Sequence, residues 1–221
     1  MKGRLIVIEG LDGSGKATQA ALLKKALEDR GERVRSVSFP AYESDSSALV
    51  RMYLAGAFGS RPEDVNAYAA SSFYAVDRYA SFKTDWGGFY LEGGTVVADR
   101  YATSNAIHQC AKLPETEWEQ YLNWLNSYEY GLLGIPAPDA VIYLRTEPEI
   151  SQALMSARYG GDEGKKDIHE KDPGFQARSL KAADWCAAVS GWLTVECLSG
   201  GKMRSVEDIH REILGLLNID N

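Results

Sequence analysis

Apolar positions fall along this chain in two alternating patterns. Leu5–Ile8 has the length and β-branched content of a buried strand, and Val34–Phe39, which alternates weakly, Thr95–Ala98, Ala140–Leu144 and Leu193–Leu198 read as further short strands. Between them lie stretches with helical spacing. The first carries Ala20, Leu22, Leu23, Ala26 and Leu27 and stops at Gly31; the second, Ala48–Ala55, follows an N-capping cluster at Ser44–Ser47. Val65–Leu91 reads as helix broken at Gly87-Gly88, and Glu115–Tyr130, Glu147–Arg158, Phe175–Ser190 and Val206–Leu217 complete the set. Strand and helix taking turns predict parallel βαβ units, hence an α/β fold of three layers with a five-stranded parallel sheet between helices. No repeat or linker divides residues 1–221, so one domain is expected.

Ligands of such sheets sit beyond the carboxyl ends of the strands. The first of these ends is the most informative. After Leu5–Ile8 come Gly10, four residues, then Gly15-Lys16 and the first helix. Strand, glycine-rich loop and helix in this order predict a phosphate-binding loop comprising Gly10, Asp12, Gly13, Ser14, Gly15, Lys16, Ala17 and Thr18. Its amides and the helix N-terminus would face phosphate oxygens, and Lys16 would reach the terminal phosphates of ATP. Ala17 stands where this loop ordinarily has a Ser or Thr whose hydroxyl contacts Mg²⁺. Thr18 points about 100° away and does not replace it. The metal is then expected on phosphate oxygens, water and a carboxylate elsewhere.

Charge narrows the partners. A net charge of −7 argues against a general nucleic-acid or membrane-surface binder. Cys110, Cys186 and Cys197 form neither a disulfide framework nor a metal-ligand spacing, and no apolar run approaches membrane-spanning length. The N-terminus leads straight into a strand rather than a signal peptide, so a cytoplasmic protein is expected.

Three further groupings invite chemistry. Asp99-Arg100 ends a buried strand, either as a structural ion pair or as an arginine clamping phosphate beside a carboxylate. Tyr74 and Arg78 share a helix face; they suit base stacking and carbonyl recognition, though a packed tyrosine with a solvated arginine is the simpler reading of the spacing. Phe73 and Tyr79 beside them read as core. Arg158, Lys165, Lys166 and Lys171, set among glycines, read equally as a solvated charge run or as a lid over phosphates, at about 159–174. Arg145 ends the fourth strand.

The stretches Ile8–Gln19, Phe39-Pro40, Phe73–Arg78, Asp99–Ser104, Gly134–Asp139 and Val206–His210 resemble, in order and rough spacing, the thymidylate kinases, a P-loop nucleoside-monophosphate kinase family. The resemblance implies transfer of the γ-phosphoryl group of ATP to dTMP, with Mg²⁺, in a homodimer packed through helices. It puts Asp12 by the sugar 3′-hydroxyl, Phe39-Pro40 against the acceptor, Tyr74 on thymine and Arg78 on a base carbonyl. Asp99 and Arg100 would manage metal-bound water and phosphate, and Ser104 and His108 would lie along sugar and base. Gly13 leaves the phosphate loop without an arginine, so the resemblance implies a lid-borne catalytic arginine, Arg158, with Lys165 and Lys166 beside it. Ala41-Tyr42 replace a common arginine after Phe39-Pro40, and the lid has lysines where arginines are frequent. The rival readings are a deoxynucleoside kinase or another nucleoside-monophosphate kinase and, from a different class, a catalytically impaired nucleotide-binding regulator.

Overall fold

A computed structural model describes residues 2–152 and 167–219. Five parallel strands, β1 (Arg4–Gly10), β2 (Val34–Ser38), β3 (Thr95–Asp99), β4 (Ala140–Arg145) and β5 (Leu193–Glu196), form a sheet in the order β2-β3-β1-β4-β5. β1 pairs with β3 on one side and β4 on the other, so the phosphate loop leaves the middle of the sheet.

The two-residue period of β1 splits the core in two. Ile6 and Ile8 face Leu23 and Leu27 of α1 (Lys16–Asp29) and Ile213 and Leu214 of α8 (Val206–Leu216). Leu5 and Val7 face the opposite layer with Val96, Ala98, Trp86 and Tyr90. The central strands β1, β3 and β4 are covered on both faces, which explains why they read as near-continuous apolar runs, while β2 and β5 are partly exposed. Two of the motif stretches have structural work. Asp139 accepts a hydrogen bond from the Leu5 amide at 2.7 Å, and Gln19 donates to the Val206 carbonyl at 3.0 Å.

The remaining helices are α2 (Ala48–Leu54), α3 (Ala67–Ser81), α4 (Gly87–Leu91), α5 (Ala102–Cys110), α6 (Trp118–Asn126) and α7 (Pro173–Ser190). Residues 148–152 begin the helix expected over Glu147–Arg158; its remainder lies outside the described residues. The expected break at Gly87-Gly88 is absent. The chain stays helical from α3 through a π-helical turn, Phe82–Trp86, into α4. Gly87 is there for space: a Cβ would lie 2.2 Å from the Phe82 carbonyl oxygen. A second π-helical turn, Ser127–Leu132, follows α6. The fifth strand is shorter than expected, because Leu198–Ser199 instead pairs antiparallel with Lys202–Met203 across Gly200-Gly201. Both glycines have positive φ, the backbone a two-residue hairpin turn requires. Tyr79, expected in the core, is 40% exposed on α3.

Candidate active site

The phosphate loop joins β1 to α1 through backbone that side chains would obstruct. A Cβ on Gly10 would lie 2.7 Å from both the Leu144 carbonyl oxygen and Ser14 Oγ. Gly13 and Gly15 have φ of 79° and 90°, and Gly15 caps α1. Lys16 is buried, its Nζ donating to the Leu11 carbonyl at 2.7 Å, so the ammonium sits over its own loop. Ser14 Oγ is buried without a partner among the described residues. Ala17 and Thr18 are both solvent-exposed, so neither side chain enters the loop's interior.

Beside the loop lies a cavity of about 500 Å³, counting its mouth. Every residue expected on the acceptor lines it: Asp12, Phe39, Pro40, Tyr74, Arg78, Arg100, Ser104 and His108. They arrive from the ends of three strands, β1, β2 and β3, and from two helices, 67–81 and 102–110, positioned by the sheet. Arg100 joins loop to cavity. With φ at 67°, it ion-pairs with Asp12 and donates to the Gly10 carbonyl at 3.3 Å and to Ser104 Oγ at 3.4 Å. Arg78 is no solvated arginine: at 1% exposure it is clamped bidentately by Glu129, with Nε 2.7 Å from Oε2. The π-helical turn after α6 delivers Glu129, and Asn105 Nδ2 donates to the same carboxylate at 3.3 Å.

Glu9, at the end of β1, is fully buried and accepts from Ser104 Oγ at 2.7 and 2.8 Å. Burial raises its pKa to about 7, against the pull of Arg100, Ser104 and Lys16. Burial also brings Lys16 down to about 8, with Arg100 adding to the effect and Asp12, Asp99 and Glu9 opposing it. For Asp12, burial is outweighed by Arg100 and Lys16, and its carboxyl lies below the usual range. Glu9 carries a prediction. Because the native state holds its proton more tightly than the unfolded chain, stability declines as pH rises from the ordinary glutamate range through about 7. Glu9→Gln is therefore expected to gain on the order of 2 kcal/mol relative to wild type between pH 5 and 8, read by urea unfolding.

Several lining residues had only weak signals in sequence. Asn105 follows Ser104 directly, and Tyr42 follows Pro40 by two. Asp167 and His169 fall in the stretch that reads as a lid, yet Ile168, His169 and Glu170 are buried, so this part is wall rather than solvated loop. Glu129, more than fifty residues from Arg78, gave no local sign at all. Arg158, Lys165 and Lys166 lie outside the described residues. Arg145 is elsewhere, in a surface cluster with Asp184, Glu147 and Glu196. Asp99 lies at the end of β3 with Oδ1 buried and without a partner among the described residues.

A phosphate loop sharing one arginine with a polar cavity at the carboxyl ends of this sheet is the arrangement of a P-loop nucleoside-monophosphate kinase. The family model described as thymidylate kinase matches residues 8–212, nearly the whole chain. The chain belongs to the thymidylate kinase family; it is an ATP-dependent enzyme that phosphorylates dTMP to dTDP. A thymidylate kinase of Mycobacterium tuberculosis is 32% identical over 193 residues, covering 85% of this chain and 87% of that protein. A probable thymidylate kinase of Pyrococcus horikoshii is 30% identical, covering 98% and 97%. A solved structure of thymidylate kinase from Candida albicans covers 98% of this chain and 92% of its own at a TM-score of 0.71 and 21% identity, a likeness of fold.

Proposed function

We propose that dTMP lies in the cavity with its phosphate toward Arg100 and its base toward Arg78, and that the ATP phosphates lie on the loop from Gly10 to Thr18. One observation carries this reading: Arg100 contacts the loop at Gly10 and Asp12 and also lines the cavity. In this arrangement Tyr74 stacks on thymine, Arg78 donates to a base carbonyl, and Asn105 lies beside it. Asp12 approaches the 3′-hydroxyl, Ser104 and His108 run along the sugar, and Phe39-Pro40 form a wall.

The reaction needs little proton chemistry. A phosphate monoester with a second pKa near 6 is already an anion at pH 7, so an oxygen of dTMP attacks the γ-phosphorus directly. The bond from that phosphorus to the β–γ bridging oxygen breaks, and ADP leaves. Lys16 and Arg100 hold the developing charge, joined by Arg158, Lys165 and Lys166 in the roles the resemblance implies. Mg²⁺ fits the donor set. Asp99 carries a buried oxygen with no partner among the described residues, and carboxylates acting through water suit this cation. Bound with ATP, the metal would neutralise phosphate charge; Ala17 contributes nothing to it.

The chain acts as one domain and as a homodimer. Leu49 and Met52 on α2 and Val76 and Tyr79 on α3 are each 40–50% exposed on helices in mutual contact, an apolar face suited to a second copy. Among the described residues no helix is long and apolar enough to cross a membrane, in keeping with the cytoplasmic location we assign.

A coupled ADP-release assay with ATP and Mg²⁺ tests the reading. Strong preference for dTMP over dUMP, dCMP, AMP and thymidine is expected. Turnover with thymidine alone would move the chain to the nucleoside kinases. ATP binding with no turnover on any acceptor would favour a regulator.

A further inference from the structure

At the end of α5, behind the cavity, Lys112 starts a row of three polar side chains that ends on the cavity wall. Its Nζ donates to Tyr53 Oη at 2.7 Å and to the Val65 carbonyl at 3.1 Å. Tyr53 Oη lies 2.8 Å from Nε2 of His169, while its other acceptor, the Pro62 carbonyl, is 3.3 Å away. Tyr53 and His169 are 1% and 5% exposed. The His169 ring lines the cavity and stacks on His108, with centroids 5.5 Å apart and planes 26° from parallel. Phosphoryl transfer uses neither Lys112 nor Tyr53.

We propose that Lys112 is a positioning residue that, through Tyr53, decides which ring nitrogen of His169 carries the proton, and so whether that ring offers the bound nucleoside a donor or an acceptor. The proposal rests on the cavity's holding the nucleoside half of dTMP.

An ammonium has donors only. With Lys112 charged, the tyrosine oxygen receives its N–H, and the phenolic proton goes to the nearer acceptor, His169 Nε2. The imidazole's own proton is then on Nδ1. A doubly protonated ring is disfavoured, because burial, with His108 and Lys112 adding to it, holds His169 well below its usual pKa. Once Lys112 gives one proton to solvent, its amine accepts as well as donates. The Tyr53 hydroxyl is then free to turn toward it, and His169 is free to carry its single proton on Nε2, donating to Tyr53. The imidazole keeps one proton throughout, exchanged between nitrogens through water.

The switch falls in an accessible range: burial lowers Lys112 to about 7, opposed by Glu63. The charged neighbours are spread over several elements. Glu63 is itself paired with Arg178 of α7, whose Nε donates to the Ala111 carbonyl at 3.1 Å. On the cavity side stand His108, lowered to about 3 by burial and Arg100, and Asp167, raised to about 7 by burial and Asp12. Arg100 and Asp12 act on His169 from across the cavity. Asp167 titrates in the same range, so only variants at Lys112 isolate its part.

Thymidine is the probe, because it lacks the phosphate whose own ionisation would blur the result. Its Kd is measured by calorimetry from pH 6 to 8.5 for wild type, Lys112→Arg and Lys112→Met, with a thermal melt of each. Wild type is expected to bind about three- to ten-fold more weakly at the top of the range, the worth of one neutral hydrogen bond. Lys112→Arg, charged throughout, keeps the tight low-pH value, and Lys112→Met stays at the weak one. The chain has 3 histidines, so ¹⁵N spectra of the imidazoles report the tautomer directly, with Nδ1–H at pH 6 and a growing Nε2–H share above 7 in wild type but not in Lys112→Arg. Parallel pH profiles in all three proteins, or a His169 tautomer indifferent to Lys112, would overturn the proposal. Absence of thymidine binding by wild type at every pH would instead overturn the cavity reading, and this proposal with it. Should Lys112→Met fail to fold, Lys112→Arg and the spectra decide alone.

Discussion

Arg100→Ala is expected to lower turnover with dTMP about 10³-fold, because it removes the charge-bearing donor between the two phosphate sites. The fold is expected to survive. Arg100 and Asp12 side chains keep some contact with solvent, at 15% and 28% exposure, and Lys16 remains as a second cation acting on Asp12 when Arg100 is removed. Alanine meets the left-handed backbone at this position with no greater difficulty than arginine does. Arg100→Lys separates charge from shape: lysine keeps the charge but cannot make the two-pronged contact, and should fall between the two. Steady-state kcat from the coupled assay, beside a thermal melt, decides the matter. Turnover of the alanine variant within a few-fold of wild type would remove Arg100 from the chemistry.

The second large effect is expected at a residue that touches no reacting atom. Glu129→Gln should cost about 3–5 kcal/mol of stability, since it leaves the Arg78 guanidinium buried without its counter-charge. For a chain of this size that amounts to a fall in Tm of about 10 °C. The same change should reduce kcat/KM for dTMP about 10²-fold, mostly through KM. The Glu129 carboxylate occupies Nε and Nη2 of Arg78, so only a fixed part of the guanidinium is left to face the cavity. Those N–H donors match a carbonyl at position 4 of the base and oppose the amino group of cytosine. Loosening the clamp should therefore shrink the preference for dTMP over dCMP as well as weaken binding. A lower Tm with unchanged KM and unchanged base preference would make Glu129 a purely structural partner.

These two residues also mark the boundary between what local sequence could and could not reveal. Arg100 was legible because its context is short-range: a buried strand ends, and the next residues must lie where ligands bind in a parallel sheet. The phosphate loop was legible for the same reason, as was the sheet, whose central strands β1, β3 and β4, buried on both faces, keep a near-continuous apolar signature. Tyr74 and Arg78 were placed together by helical spacing alone. That spacing could not say whether Arg78 was solvated. The answer came from Glu129, brought across the cavity by a π-helical turn that has no sequence signature of its own.

Glycine misled where its reason was spatial. Gly87 sits inside continuous helix because the Phe82 carbonyl leaves no room for a side chain, whereas sequence reads the pair Gly87-Gly88 as a stop. The polar stretch before α7 shows the same division. Its residues from Asp167 to Glu170 read equally as solvated loop or as lid, yet Ile168, His169 and Glu170 are buried against α2 and α5, so that His169 becomes cavity wall. By itself, the sequence determined the layers, the strand ends and the phosphate loop, because these follow from periodicity and from contacts a few residues apart. Only the tertiary structure decided which polar groups pair inside the cavity and hence which ones face the nucleotide, because a buried charge is settled by partners that the chain brings in from far along its length.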